Sequence, residues 1–315
     1  MEWVRVGHWT DQAARTGCTV VLLPAGSVAS GEIRGGAPAT REWALLSPER
    51  TISHVDAVVL SGGSAFGLAA CDGVLRYCAE QSMGVPTGAG PVPIVVGACI
   101  YDLATGDSSI RPGADQGYAA ATAAGVGAAD PGSMGVSLGA VGGGCGATVN
   151  KWLGSGGVRP GGIGSASQWA GSLVVSALVV VNAVGDLIER ARLDPIPEVW
   201  PEAGSLALGD PNPSGAPSGA PSGLGGNDNP NHLDIGGMNT TIGVIATNAI
   251  LTKGDCLLVA QSGHDGMARA LEPVHTSLDG DALVAVATGA VQAPLEQVRL
   301  LGARSVEAAI RSVLA

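Results

Sequence analysis

Thr240, with Thr241 beside it, opens the apolar part of the stretch GGMNTTIGVIATNA (residues 236–249). A threonine hydroxyl is a poor nucleophile unless a base lies within hydrogen-bond reach. One economical base is the threonine's own α-amine, freed when the preceding peptide bond is cut. An α-amine titrates near pH 8, so a useful fraction is neutral at physiological pH. Such chemistry requires a small hydroxyl residue at the start of a buried strand, preceded by a segment able to move aside. The segment GDPNPSGAPSGAPSGLGGNDNPNH runs just upstream. An ordinary loop entering an ordinary strand fits the same residues, because threonine favours strands. Successive strand residues point to opposite faces, so only one of the two threonines can face a site.

Other chemistries find less support. His8, His54, His232, His264 and His275 form no H-x-x-x-H or H-E-x-x-H pair, and Cys18, Cys71, Cys78, Cys99, Cys145 and Cys256 form no C-x-x-C pair, so no metal site is expected. The glycines of GAVGGGCGATVN do not make a dinucleotide fingerprint, and no phosphate-binding G-x-x-x-x-G-K-[ST] occurs. SGGSAFG resembles a nucleophile elbow, but Phe66 stands where glycine is needed, and a tight strand-to-helix turn accounts for it. A Ser–His–Asp triad need not show in spacing; nothing marks one serine above the rest.

These residues need elements to hold them. Short apolar runs ended by glycine read as strands at 18–26 and 55–63, with another at 91–103. The residues after Gly63 carry a helical apolar face, Phe66, Leu68, Ala69, Val74, Leu75 and Cys78, and 113–124 is an alanine-rich helix. Glycine clusters dominate 135–167. A strand buried on both faces is expected at 172–183, followed by a Gly-Asp turn and a short strand, LIERARL. Residues 202–231 change abruptly to Pro, Gly, Ser, Asn and Asp, too poor in apolar surface to offset ordering entropy, and are expected to be mobile. Beyond them come a strand at 240–251 and a helix from Leu251 to Leu271, with Thr252 and Asp255 in capping-box positions. A strand at 280–289 and an amphipathic helix at 294–315 complete the chain. Strands and helices are mixed, and the lack of regular βαβ spacing argues against a doubly wound sheet.

With 315 residues the chain can bury a substantial core, as one large domain or two ordinary ones. Its single Phe and fifty glycines imply a core of Val, Ala, Leu and Ile with closely approaching layers. A net charge of −11 without a Lys/Arg cluster excludes a nucleic-acid footprint. The low charged fraction, 14%, points to a surface partly covered by other subunits. The start of the sequence lacks a signal-peptide core and the longest apolar run is too short for a bilayer, so a soluble protein of the reducing cytoplasm is expected, its thiols free.

The ordered blocks VGHWTD, TGCTVVL, LSGGSAFGLAACDGV, VPIVVGACIYDL, GATVNKWLG, GGIGSAS, VVVNAVGD, MNTTIGVIATNA, HDGMARAL and PVHTSLDGDALVAVATG resemble one family along nearly the whole chain. It is the self-processing hydrolase family containing the D-aminopeptidase DmpA, the β-peptidyl aminopeptidases and the nylon-oligomer (6-aminohexanoate-oligomer) hydrolase. The resemblance implies an α+β fold: a four-layer αββα sandwich of N-terminal-nucleophile-hydrolase type, with the strand connectivity of DmpA and the ornithine acetyltransferases. It implies one domain over 1–315, cut at Asn239–Thr240 into an α chain, 1–239, and a β chain, 240–315. The Asn-Thr junction is similar to the nylon-oligomer branch, whereas several members have a serine nucleophile.

Residue by residue, the resemblance implies that Lys151 assists activation, where a surface lysine beside Trp152 is the plainer reading; the chain has one other lysine, Lys253. Asn182, an amide inside a buried strand, needs a partner, and an oxyanion is one. Asp279 and Asp281 match a carboxylate pair near the nucleophile, although an Asp-Gly turn explains one of them. The implied activity is self-cleavage by N→O acyl shift, then hydrolysis of small peptides or other amides through an acyl-enzyme on Thr240, with Asn182 as oxyanion donor. No metal or organic cofactor is implied, and a homo-oligomer, a tetramer of αβ units, is. Acyl transfer of the ornithine acetyltransferase type is the alternative, though Asn239 replaces the alanine typical there. A non-catalytic glycine-rich scaffold is the remaining one.

Overall fold

A computed structural model describes residues 3–127, 134, 136–152, 157–188 and 239–314. The segment 202–231, His232 and most of LIERARL lie outside these residues. The first part of the chain forms β1 (Arg5–Asp11), β2 (Thr16–Leu22), β3 (Val28–Ile33), β4 (Thr40–Arg41), β5 (Ala57–Ser61), α1 (Ala70–Glu80), β6 (Val95–Cys99) and α2 (Ala114–Val126). It continues through β7 (Thr148–Val149), β8 (Arg159–Pro160), β9 (Gly162–Ala170), β10 (Leu173–Asn182) and β11 (Asp186–Leu187). After the undescribed stretch come β12 (Thr240–Ala249), α3 (Lys253–Ala268), β13 (Leu271–Glu272), β14 (Ala282–Val291) and α4 (Leu295–Leu314). The described residues on both sides of that stretch belong to one compact unit.

Two five-stranded sheets carry the architecture, in the orders β1-β2-β5-β6-β4 and β3-β14-β12-β10-β9. Period-2 alternation explains how each sheet is buried twice. On β10, Val174, Leu178 and Val180 enter the core between the sheets, while Val175, Ala177, Val179 and Val181 face the layer of α3 and α4. On β5, Val58 and Leu60 face the second sheet, and Ala57 and Val59 face α1 and α2. The result is helices, sheet, sheet, helices. With aromatics at only 3%, the layers close on small side chains. A Cβ on Gly164 of β9 would come 1.9 Å from the Ala309 carbonyl of α4, so glycine is what allows that helix to lie on the sheet.

Several elements differ from the sequence-based expectation. β1, β3 and β9 were not anticipated. The strand expected at 91–103 contracts to Val95–Cys99, because Asp102 leaves the ladder to bind the turn after β5, its carboxylate accepting Gly63 N–H and the Thr16 hydroxyl, each at 2.7 Å. The helix after Gly63 begins as a 3-10 turn, Ser64–Ala69, before α1. The capping box at α3 is present: Asp255 N–H donates to Thr252 Oγ1 at 3.2 Å, and Thr252 N–H donates to Asp255 Oδ2 at 2.9 Å. Among the described residues no helix is long and apolar enough to cross a membrane.

Candidate active site

β12 starts at Thr240, and its two neighbours in the sheet decide what surrounds that residue. β10 pairs with it antiparallel, setting Asn182 opposite Thr240. β14 pairs with it parallel, Ile242 beside Ala282, and the register extends back as a bridge between Asn239 and Asp279. The turn 278–281 therefore runs alongside residues 239–241. Asn239 N–H donates to the Leu278 carbonyl at 3.1 Å, and the Asn239 carbonyl accepts Gly280 N–H at 2.8 Å. The Thr240 hydroxyl donates to that same Asn239 carbonyl. One peptide carbonyl thus lies between a hydroxyl and an amide donor. A Cβ on Gly280 would stand 2.8 Å from both Thr240 Oγ1 and the Ala37 carbonyl, so any side chain there would displace the hydroxyl or the turn.

Alternation separates the two threonines. Thr240 shares a face with Ile242, Val244 and Ala246, which enter the intersheet core, and it lines a cavity of about 320 Å³. The rest of the wall comes from residues 37–40, from Ser64, Ala65 and Leu68 in the turn after β5, and from Cys99 and Tyr101; none of these side chains is charged. Thr241 points to the opposite face, and its N–H donates to Asp281 Oδ1 at 2.6 Å. A larger hollow of about 780 Å³, with Trp3, Arg5, His54 and Asp56 in its wall, holds none of the candidate residues.

Asn182, Asp279 and Asp281 are buried at the same end of the second sheet, and Lys151 joins them. Lys151 Nζ donates to Asn182 Oδ1 at 2.8 Å and to the Asn182 carbonyl at 3.1 Å. Burial lowers its ammonium to about 7, against the pull of the Asp279 carboxylate. It is not a surface lysine. Asn182 Oδ1 also accepts Thr148 N–H at 2.9 Å, and Nδ2 donates to the Tyr101 carbonyl at 3.1 Å. One of the two amide hydrogens of Asn182 is therefore already engaged. Asp279 accepts Thr276 Oγ1 at 2.6 Å, Thr276 N–H at 2.9 Å and Val184 N–H at 3.3 Å. Burial, and then the charge of Asp281, push its carboxyl above the usual range in spite of those donors. Asp281 Oδ2 accepts from both the N–H and the ring Nδ1 of His275.

Gly280, Tyr101, Ser64 and His275 belong to this neighbourhood without having been singled out. Gly280 sat unremarked between the two aspartates. Ser64, at φ 55°, belongs to the turn set aside as a failed nucleophile elbow, and it lines the cavity at Thr240. Among the described residues no group of three His, Cys, Asp or Glu side chains is arranged to hold a metal. All six cysteines are buried and unpaired.

The chain is similar to known proteins along its whole length. The profile of peptidase family S58 matches residues 1–315. An uncharacterized aminopeptidase of Mycobacterium leprae is 44% identical over 299 residues, covering 92% of this chain and 78% of that protein. The 6-aminohexanoate-oligomer endohydrolase of a Kocuria species is 28% identical over 326 residues, 99% of this chain and 80% of the relative. Among solved structures, the L-aminopeptidase D-Ala-esterase/amidase of Ochrobactrum anthropi, described as a variant of the Ntn hydrolase fold, superposes with a TM-score of 0.67 at 17% identity over 100% of this chain and 84% of the other. The four-layer arrangement is thus an Ntn-hydrolase fold.

Proposed function

The chain belongs to peptidase family S58 and hydrolyses amide bonds, and from that premise we propose that Thr240 is its nucleophile, exposed when the chain cuts itself at Asn239–Thr240. The observation that carries this reading is the Asn239 carbonyl, which accepts both the Thr240 hydroxyl and Gly280 N–H. Attack of Thr240 Oγ1 on the Asn239 carbonyl carbon moves negative charge onto an oxygen that Gly280 N–H already faces. Donors fixed where charge develops lower such a barrier without reorganisation. The C–N bond breaks, the acyl group passes from nitrogen to oxygen, and the amine of Thr240 takes up a proton. Lys151, held near neutrality by burial, is the group at this end of the sheet suited to exchanging the hydroxyl proton at working pH. Water then hydrolyses the ester, leaving 1–239 and 240–315.

The freed α-amine of Thr240 becomes the base for turnover. A substrate carbonyl takes the position vacated by Asn239, against Gly280 N–H and the remaining amide hydrogen of Asn182. Thr240 is acylated, the leaving amine receives the hydroxyl proton, and water releases the acid. The uncharged cavity beside Thr240 suits the aliphatic part of small peptides and linear amides, in keeping with relatives named aminopeptidase and 6-aminohexanoate-oligomer endohydrolase. The low charge of the surface accords with αβ units that assemble further, in a reducing cytoplasm that keeps the six thiols free. The test is the mass and N-terminal sequence of the purified, denatured protein. Two fragments, the smaller beginning Thr-Thr-Ile-Gly, are expected, and Thr240→Ala must leave a single inactive chain. A wild-type chain that stays whole on long incubation, or a Thr240→Ala variant that cleaves and turns over, refutes the reading.

A further inference from the structure

His275 sits where the cleavage chemistry above does not use it, yet its contacts lead directly to the nucleophile. Its backbone lies at φ 56°, a left-handed conformation uncommon for a side chain of this size. There its N–H and its ring Nδ1 converge on one oxygen, Asp281 Oδ2, at 3.1 and 2.8 Å. The other oxygen of that carboxylate, Oδ1, accepts Thr241 N–H at 2.6 Å. Asp281 is 1% exposed, so water cannot replace a donor that is lost.

The far side of the ring is walled by His264 of α3, whose ring meets it edge-on with centroids 4.8 Å apart. His264 Nε2 faces the Glu32 carbonyl at 3.1 Å, so Nε2 carries the proton, and burial lowers this imidazole to about 4. The His264 ring is thus a neutral wall rather than a competing donor, its carbonyl stands 3.5 Å from His275 Nε2, and among the described residues its Nδ1 has no hydrogen-bond partner. The charged groups nearby are already paired: Arg34 from the end of β3 binds Glu32 at 2.8 Å and Asp265 at 3.3 Å. Among the described residues, the donors to the Asp281 carboxylate are those of Thr241 and His275.

We propose that His275 is a positioning residue: through its Nδ1–H it holds the Asp281 carboxylate turned toward Thr241 N–H, and so sets the position of Thr240 in self-cleavage and in turnover. The proposal rests on Thr240 being the nucleophile. Because Thr241 is the next residue along β12, a rotated Asp281 frees the first peptide N–H after the scissile bond. A misplacement of about 1 Å at a reacting group costs on the order of 100-fold.

Side-chain amides separate a donor role from a space-filling one. The amide nitrogen of asparagine falls where Nδ1 stands, and asparagine tolerates positive φ; that of glutamine falls where Nε2 stands. The full-length chain is prepared as wild type, His275→Asn, His275→Gln and His275→Gly, and appearance of the fragment beginning at Thr240 is timed by mass. His275→Asn is expected within about threefold of wild type, and His275→Gln and His275→Gly slower by about 10- to 100-fold, the range for loss of a hydrogen bond to a charged group. In matured samples the two slow variants are expected to lose kcat with KM unchanged. His275→Gln conserves bulk, so it decides the matter if the glycine variant does not fold. A folded His275→Gln at the wild-type rate, or a His275→Asn as slow as it, overturns the proposal while wild-type cleavage leaves Thr240 standing. A wild type that does not cleave overturns both.

Discussion

Replacing Gly280 by alanine places one methyl group at the point where the proposed self-cleavage would begin. The new Cβ would lie 2.8 Å from Thr240 Oγ1 and 2.8 Å from the Ala37 carbonyl, with Pro38 Cα at 3.2 Å behind it. Ordinary contact begins near 3.4 Å, so the hydroxyl or the turn must yield by about 0.6 Å, in a site where about 1 Å costs roughly 100-fold. Any shift of the turn also moves Gly280 N–H away from the Asn239 carbonyl it now meets at 2.8 Å. Loss of a comparable oxyanion donor costs about 10²- to 10³-fold. Self-cleavage of Gly280→Ala is therefore expected to slow by at least about 100-fold. Overpacking of this kind destabilises by about 1–3 kcal/mol, within the usual stability of a domain, so the variant should fold. The assay is the intact mass of freshly folded protein sampled over time. Melting is compared with uncut Thr240→Ala, so that like chains are set against like. A folded Gly280→Ala that releases its fragments at the wild-type rate refutes the placement of the oxyanion.

With the Lys151 ammonium lowered to about 7, the rate of the proposed self-cleavage is expected to rise with pH through about 7 and level off above it. Lys151→Met should flatten that limb, which timed mass measurements at pH 5.5–9 would show. The same depressed value means the unfolded chain binds the extra proton between about 7 and 10.5, so stability from this group rises with pH across that window. Ala65→Trp, at an exposed position on the cavity wall, should leave self-cleavage unchanged while raising KM for amide substrates, as steady-state kinetics on the matured variant would reveal. Thr252→Ala removes the side-chain half of the α3 capping box and should cost about 1 kcal/mol, a Tm lower by about 2–4 °C, with turnover intact.

Central strands were legible because they are mostly apolar and β-branched: β10, β12 and β14 each read as strands from their Val, Ile, Leu, Ala and Thr. β9, GIGSASQWA, was not, because it is buried through glycine and small side chains that admit α4, and closeness of approach leaves no hydropathy signal. β1 mixes Arg, His and Asp with few apolar residues and looked like a polar terminus. At the site, Lys151, Asp279 and Asp281 could be singled out through the family resemblance, and Asn182 also because an amide inside an apolar strand is costly unless paired. Tyr101, Gly280 and His275 could not. Tyr101 reaches the site through a sheet crossover, and Gly280 contributes a backbone N–H and an absent side chain. His275 depends on a left-handed backbone. None of these leaves a mark in residue type or spacing.

The strand order β3-β14-β12-β10-β9 interleaves the two proposed products of cleavage. β12 and β14, from the fragment beginning at Thr240, lie at the centre, with β3 on one side and β10 and β9 on the other from the fragment ending at Asn239. Severing the chain then separates nothing. What it removes is the tether: a molecule that folded in a unimolecular step can afterwards be rebuilt only by two strangers meeting at finite concentration. Maturation in this topology is a one-way passage, after which the lifetime of the folded state, rather than its capacity to refold, governs how long the enzyme lasts.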